Sequence, residues 1–252
     1  NVLYFLALRG MNFRNDDMET NGEVYLLRKI SEYYPSEKQI MVFDVGANIG
    51  GYSQQVIKNF EGRKYILHSF EPVPSTFSEL RKNLGVYTGL NLNLYPFGLG
   101  AQNGHVPVFS NEASSALSSL YERDLEHLNA PLQQRSTMVE IKTLDTFCHE
   151  QKIEHIHFLK IDTEGSEYSI LQSIHNKLTN KKIDVIQFEF GTTCMGSKTY
   201  FRDFFVLLHP QYTIYRLLKN GLYEYTAYHY DQEILSLATY VAISKDLPDF
   251  VM

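Results

Sequence analysis

Residues 40–53 read Ile-Met-Val-Phe-Asp-Val-Gly-Ala-Asn-Ile-Gly-Gly-Tyr-Ser, and no other stretch limits the fold as much. An apolar run closes on an acid, a glycine-spaced turn follows, and a helix begins. An open α/β sheet builds a nucleotide pocket in this way, at the carboxyl end of its first strand. Gly46 can take backbone angles closed to other residues, and Gly50 lets backbone approach a ligand closely. The helix beyond them starts with N–H groups that have no partner inside the helix.

The strand–helix rhythm continues along the chain. Strands are predicted at 39–45, 65–70, 92–97, 157–161, 183–188, 212–217 and 239–243. The segments between them carry apolar stripes at helical spacing, such as Tyr52, Val56 and Phe60, or Phe201, Phe204, Phe205 and Leu208. This alternation predicts a Rossmann-like, doubly wound, mostly parallel sheet with helices on both faces. The 252 residues suffice for one such domain, and neither a repeat nor a long linker divides it, so 1–252 reads as a single unit. Residues 1–38 read as a helical extension ahead of the sheet, stopped by Pro35. Residues 101–140 interrupt the rhythm and read as an insertion near the substrate side, with short strands at 105–110 and 138–142, a serine-rich run at 113–120 and a charged helix at 122–128.

Composition narrows the class of partner. The net charge is −6 and no Lys/Arg cluster breaks it, so nucleic acid is not the expected partner. Val2 to Leu8 is apolar but far too short to span a bilayer, and it lacks the flanks of a signal peptide. Cys148 and Cys194 have no metal-ligand spacing and suit a reducing compartment, so a cytoplasmic location is expected. His155 and His157 sit two apart, but a zinc site needs further ligands, so this pair reads as structural.

Acids or glycines mark four strand ends: Asp44 to Gly50, Glu71, Asp162 to Gly165, and Glu189. In a parallel sheet these ends share one edge, where open α/β proteins bind ligands. Glu71 is placed to accept hydrogen bonds from both ribose hydroxyls of an adenosine. The turn departs from a dinucleotide fingerprint because Asn48 stands at the second glycine's place. Asp44 adds negative charge before the turn, which disfavours a pyrophosphate and favours a ligand bearing an ammonium and a sulfonium. S-adenosyl-L-methionine is such a ligand.

The runs Phe43-Asp44-Val45-Gly46-Ala47-Asn48-Ile49-Gly50, Phe70-Glu71-Pro72, Leu159-Lys160-Ile161-Asp162-Thr163-Glu164-Gly165-Ser166-Glu167 and Gln187-Phe188-Glu189 resemble the FkbM-type methyltransferases. Thr143-Leu144-Asp145-Thr146-Phe147 also resembles a family segment. The likeness covers roughly residues 40 to 190. It implies a class I S-adenosylmethionine-dependent methyltransferase fold that acts on hydroxyl groups of sugars or other secondary metabolites.

On this reading Asp44, Gly46, Ala47, Asn48, Gly50, Tyr52, Glu71, Leu99 and Asp162 bind the cofactor. Asp162 and Glu189 are the candidate bases for the acceptor hydroxyl, Asp162 first. Together with Glu164 they are also a candidate oxygen-ligand set for Mg²⁺ or Ca²⁺. Glu164, Ser114, Ser115 and His105 are expected to face a small-molecule or glycan substrate. Two alternatives stay open at this point: an NAD- or sugar-nucleotide-dependent enzyme on a related fold, and a non-catalytic module that keeps the fold to bind a partner.

Overall fold

The computed structural model describes residues 2–87, 89–110 and 135–251. Two helices come first, α1 (Val2–Gly10) and α2 (Glu23–Tyr33). The βα rhythm then runs β1 (Ile40–Val45), α3 (Gly51–Asn59), β2 (Tyr65–Phe70), α4 (Pro74–Leu84), β3 (Leu92–Tyr95). Next come β4 (Gly98–Leu99), β5 (Gly104–Ser110), β6 (Arg135–Lys142) and α5 (Leu144–Gln151). The rhythm resumes with β7 (Ile156–Ile161), α6 (Glu167–Ser173), α7 (His175–Thr179), β8 (Ile183–Phe190), α8 (Cys194–Ser197) and α9 (Phe201–Leu208). β9 (Tyr212–Leu218), β10 (Gly221–Tyr225) and β11 (Ala238–Ser244) close the chain.

Eight strands form the main sheet in the order β10-β9-β11-β8-β7-β1-β2-β3. The run from β8 through β7, β1 and β2 to β3 is parallel, as the rhythm predicts. β11 slots between β8 and β9 antiparallel to both, and β10 returns antiparallel on β9 after the Asn220-Gly221 turn. The predicted third strand ends early, at Tyr95. The chain there turns into β4, which joins a second, three-stranded sheet ordered β4-β6-β5. The ends of the expected insertion therefore pair with each other, Gly104 to Ser110 against Arg135 to Ile141.

Strand alternation decides which helices each residue meets. Ile40 and Val42 of β1 pack in one apolar cluster with Leu26, Leu27 and Ile30 of α2 and Val56 of α3. Phe43 and Val45 point the other way, into a cluster with Phe147 of α5, Ile170 of α6 and Phe204 of α9. The tyrosines and phenylalanines serve this core: Phe43, Phe70, Tyr95 and Phe147 stack or meet edge to face. Among the described residues no helix is long and apolar enough to cross a membrane.

Candidate functional site

The same alternation that buries Val42, Phe158 and Val185 puts Asp44, Lys160 and Gln187 on the α2/α3 face, two residues further along each strand. Register makes them neighbours: Ser69, Asp44, Lys160 and Gln187 form one row across β2, β1, β7 and β8. Asp44 is completely buried. Its carboxylate accepts from the Ser53 hydroxyl at 2.7 Å and faces Lys160 Nζ at 3.2 Å. Lys160 Nζ also reaches Asp162 at 3.3 Å and lies over the Tyr52 ring. Burial alone would lower the Lys160 pKa. The carboxylates of Asp44 and Asp162 outweigh that cost and hold the ammonium well above its ordinary value.

The row continues into the N-terminal extension. Gln187 donates to Glu23 at 2.7 Å and accepts from the Tyr52 hydroxyl at 2.8 Å. Glu23 opens α2, and its carboxylate also accepts from the Asn21 amide at 2.9 Å.

The glycine turn leads from β1 into α3. Gly46 has φ +81°, and a Cβ there would overlap the Asp162 carbonyl oxygen. Asn48 itself sits in the left-handed region at φ 49°, which an asparagine tolerates better than most residues. The N–H groups of Gly46 and Ala47 both donate to the Phe70 carbonyl, and that of Gly50 to Ala47. The Asn48 N–H donates to Glu71 Oε2 at 3.1 Å, while Val73 N–H donates to Glu71 Oε1 at 2.9 Å. These four turn N–H groups are thus engaged inside the protein and offer no cradle to a pyrophosphate, contrary to what a dinucleotide site requires. Burial pushes the Glu71 carboxyl up to about 7, against the pull of those two backbone donors. The Asn48 Oδ1 is buried with no hydrogen-bond partner among the described residues, an orphan acceptor beside Glu71.

The loop after β7 is built differently. Glu164 (φ 60°) and Gly165 (φ 116°) reverse the chain after Asp162. Glu167, the first residue of α6, closes the loop: its carboxylate accepts from the N–H groups of Thr163 at 2.7 Å and Gly165 at 2.9 Å. Asp162 keeps about a third of its side-chain surface exposed. Glu189, near the end of β8, is partly exposed, and no hydrogen-bond donor reaches its carboxylate among the described residues. Desolvation first, then the carboxylates of Asp162 and Glu23, raise its pKa well above the usual range.

Several sequence expectations change in three dimensions. Asp44 does not present a free charge to a ligand, because Lys160 matches it. Tyr52 is buried with its hydroxyl committed to Gln187, so it supports the site from behind. The side chains of Ala47 and Leu99 are buried in the apolar clusters, which leaves only their backbone for a ligand. His105 is exposed on β5, opposite Glu140. Ser114 and Ser115, like the predicted helix at 122–128, lie outside the described residues.

The candidate metal set is not drawn together to ligand spacing. Among the described residues the one group of three ligand side chains that converges is His155, His157 and Asp184, not Asp162, Glu164 and Glu189. The ammonium of Lys160 already stands against Asp162. The histidine group lies at the opposite, amino end of β7 and β8. His157 Nδ1 accepts the Met41 N–H at 2.9 Å, so the neutral ring carries its proton on Nε2 and has no lone pair left for a metal. Both cysteines are free and buried, and burial pushes their thiols up to about 11 (Cys148) and about 12 (Cys194).

Lys160, Glu167 and Gln187 lie in the family-like runs and Glu23 in the N-terminal helix, but the sequence assigns none of the four a place in the site. For Lys160 the signal exists, a lone cation at an alternate position of an apolar strand. For Glu23 only the fold brings it near.

A mostly parallel sheet with one antiparallel strand inserted near its edge, a glycine turn and acids along one rim define a Rossmann-like methyltransferase fold. The sequence profile of the methyltransferase FkbM domain matches residues 44–215, more than half of the chain. The chain belongs to the methyltransferase FkbM family. It is 24% identical over 161 residues to Methyltransferase 1 of Beauveria bassiana (strain ARSEF 2860), covering 59% of this chain and 64% of that protein. It is 27% identical over 156 residues to Methyltransferase sdnD of Sordaria araneosa, covering 53% of this chain and 60% of that protein. The chain thus spans about three-fifths of the length of these relatives. A crystal structure of methyltransferase FkbM from Methylobacillus flagellatus KT shares the fold, with TM-score 0.50 and 17% identity over 84% of this chain and 47% of that one.

Proposed function

We propose that this protein is an S-adenosylmethionine-dependent O-methyltransferase acting on a hydroxyl of a sugar, a glycan or a glycosylated metabolite. One observation carries the donor half of the reading. The glycine turn spends its N–H groups on Phe70, Ala47 and Glu71, yet it leaves Asn48 Oδ1 orphaned next to a buried carboxylate. Such a turn suits a ligand that donates hydrogen bonds, as a ribose and an ammonium do, rather than a phosphate. Each Glu71 oxygen takes one backbone N–H and keeps lone-pair capacity for a ribose hydroxyl.

Bound there, the donor supplies an electrophilic methyl group whose carbon–sulfur bond breaks as an acceptor oxygen attacks, the bonding pair staying on sulfur. The chain's own task is to hold the acceptor and receive its proton. Asp162 has one carboxylate oxygen on Lys160 and stays open to solvent, which suits holding the donor's ammonium or orienting the acceptor. Glu189 is the better proton acceptor of the pair. Its raised pKa brings it closer to a hydroxyl's need, and no described donor competes for its lone pairs.

Calorimetry tests the reading. S-adenosylhomocysteine should bind with one-to-one stoichiometry and NAD should not. Binding of NAD without S-adenosylhomocysteine would reverse the assignment, and stoichiometric binding with no methyl transfer to any of a broad glycan panel would favour a binding module.

A further inference from the structure

A helix that is apolar on every side belongs in a core or in lipid. From Val2 to Leu8, α1 holds only aliphatic and aromatic residues. Leu8 does reach the core, in the cluster that contains Phe13 and Phe204. Val2, Leu3 and Leu6 do not: Val2 is 74% exposed, Leu6 61%, and Leu3 83%, more than any other large apolar side chain described. Helical spacing puts these three on one face.

The root of α1 is fixed. Residues 11–22, which follow it, form a wall along the carboxyl edge of the sheet. Arg14 N–H donates to the Leu237 carbonyl at 2.9 Å, and its Nε to the Ser236 hydroxyl at 3.1 Å. Asn12 donates to the Leu217 carbonyl at 3.2 Å, and the Arg216 guanidinium donates to the Met11 carbonyl while lying 3.5 Å over the Phe13 ring. Gly22 seats so closely against the end of β9 that a Cβ would overlap the Leu218 carbonyl. The bare face is thus held in place by a rigid base.

The face runs into positive charge at the carboxyl end of α1. Arg9 follows Leu6 by three residues, on the same side of the helix. It shares an open hollow of about 610 Å³ with Lys219 of the β9–β10 turn, and no carboxylate lines that hollow. Neither cation has an ion-pair partner among the described residues. In a protein of net charge −6 this is a local reversal of sign.

We propose that α1 docks the protein on an anionic lipid surface: Val2, Leu3 and Leu6 enter the acyl region of one leaflet, and Arg9 and Lys219 meet the headgroups. A helix satisfies its own backbone groups, so it can enter lipid without cost from unpaired N–H and C=O. A groove on a partner protein selects one stripe of a helix, whereas acyl chains accept every side of it. Nine residues rise about 13.5 Å, less than half of a hydrocarbon core, so α1 enters one leaflet and does not span. The order of apolar tip and cationic collar matches the order of acyl chains and anionic headgroups. Because its root is stitched to the end of β9 and the start of β11, docking sets the carboxyl rim of the sheet beside the membrane. The inference does not depend on the methyl-transfer reading.

Flotation of the full chain with two kinds of vesicle tests this: phosphatidylcholine alone, and phosphatidylcholine mixed with phosphatidylglycerol. The wild type should float with the mixed vesicles, much less with the neutral ones, and more weakly at high salt. Leu3→Asp/Leu6→Asp should abolish flotation, since a carboxylate resists entry into acyl chains. Its circular dichroism and melting temperature should not change, because both side chains are exposed. Arg9→Ala/Lys219→Ala should weaken affinity for the mixed vesicles by roughly tenfold to thirtyfold, the scale of two basic residues at an anionic surface. No flotation of the wild type, equal binding to both vesicles, flotation that survives Leu3→Asp/Leu6→Asp, or an unaffected Arg9→Ala/Lys219→Ala variant overturns the inference. A dimer seen by light scattering without lipid, and split by Leu3→Asp/Leu6→Asp, also overturns it and gives the face to a second copy of the chain.

Discussion

The two halves of the carboxyl rim handle their acids in opposite ways. On the β1–β2 side every acid is matched. Asp44 has Lys160 and Ser53, and Glu71 has two backbone N–H groups. On the β7–β8 side Glu167 is matched by the loop it closes, but Glu189 faces other carboxylates and has no described donor. The first half is a prebuilt cradle whose residues hold one another in place. The second keeps an acid whose charged form is disfavoured by burial and by its neighbours, which is the setting proposed above for a proton acceptor. Lys160 joins the halves, since its ammonium contacts Asp44 and Asp162 at almost equal distance.

That contrast predicts where substitutions act. The largest effect should come from Glu189→Gln. Turnover on an accepted hydroxyl should fall ~10²–10⁴-fold, the usual contribution of a general base, with the denaturation midpoint unchanged or higher. The stability sign follows from the raised pKa: what Glu189 adds to folding is present below about 4.5 and is lost as pH rises through its folded value, so removing it at pH 8 removes a cost. A full-rate variant would strip Glu189 of its role. Asp44→Asn should do the reverse and destabilise the fold by ~3 kcal/mol, because Lys160 loses one of its two buried partners. Urea unfolding checks this, and a change under 1 kcal/mol would show that Asp162 alone balances the cation.

Smaller effects sharpen the donor half. Glu71→Ala should weaken S-adenosylhomocysteine by ~1–3 kcal/mol in calorimetry, the scale of hydrogen bonds to a charged group. An unchanged dissociation constant would remove the ribose contact. With the Glu71 carboxyl near pH 7, affinity for the same ligand should tighten severalfold between pH 6 and pH 8 as the group ionises. The same pKa means that the unliganded fold gains Glu71's contribution below about 4.5 and loses it as pH rises through about 7. A pH-independent affinity would show that ionising Glu71 does not bear on binding, and a pH dependence that persists in Glu71→Gln would assign the titration to another group.

How much of this was legible depended on distance along the chain. The strand–turn–helix at 40–53, the parallel core from β1 to β3 and from β7 to β8, and the acids at strand ends could be read directly. They rest on local signals: periods of two and 3.6 residues, and a glycine turn that only certain backbone angles satisfy. The place of β11 between β8 and β9, the early end of β3 and the wall made by residues 11–22 could not, because each depends on partners far away in sequence.

The order of the acids and glycines, and the face of the sheet each one takes, were thus fixed by the sequence alone. What each acid touches was decided by tertiary structure. Asp44 meets Lys160 only because β1 and β7, more than a hundred residues apart, pair in one register. The Tyr52 hydroxyl meets Gln187 of β8, and the Asp162 carboxylate meets the ammonium of Lys160, which stands just before it on β7. Alternation along a strand says which way a side chain points, but the charge it meets there comes from the neighbouring strand, and that neighbour is chosen by packing of the whole sheet.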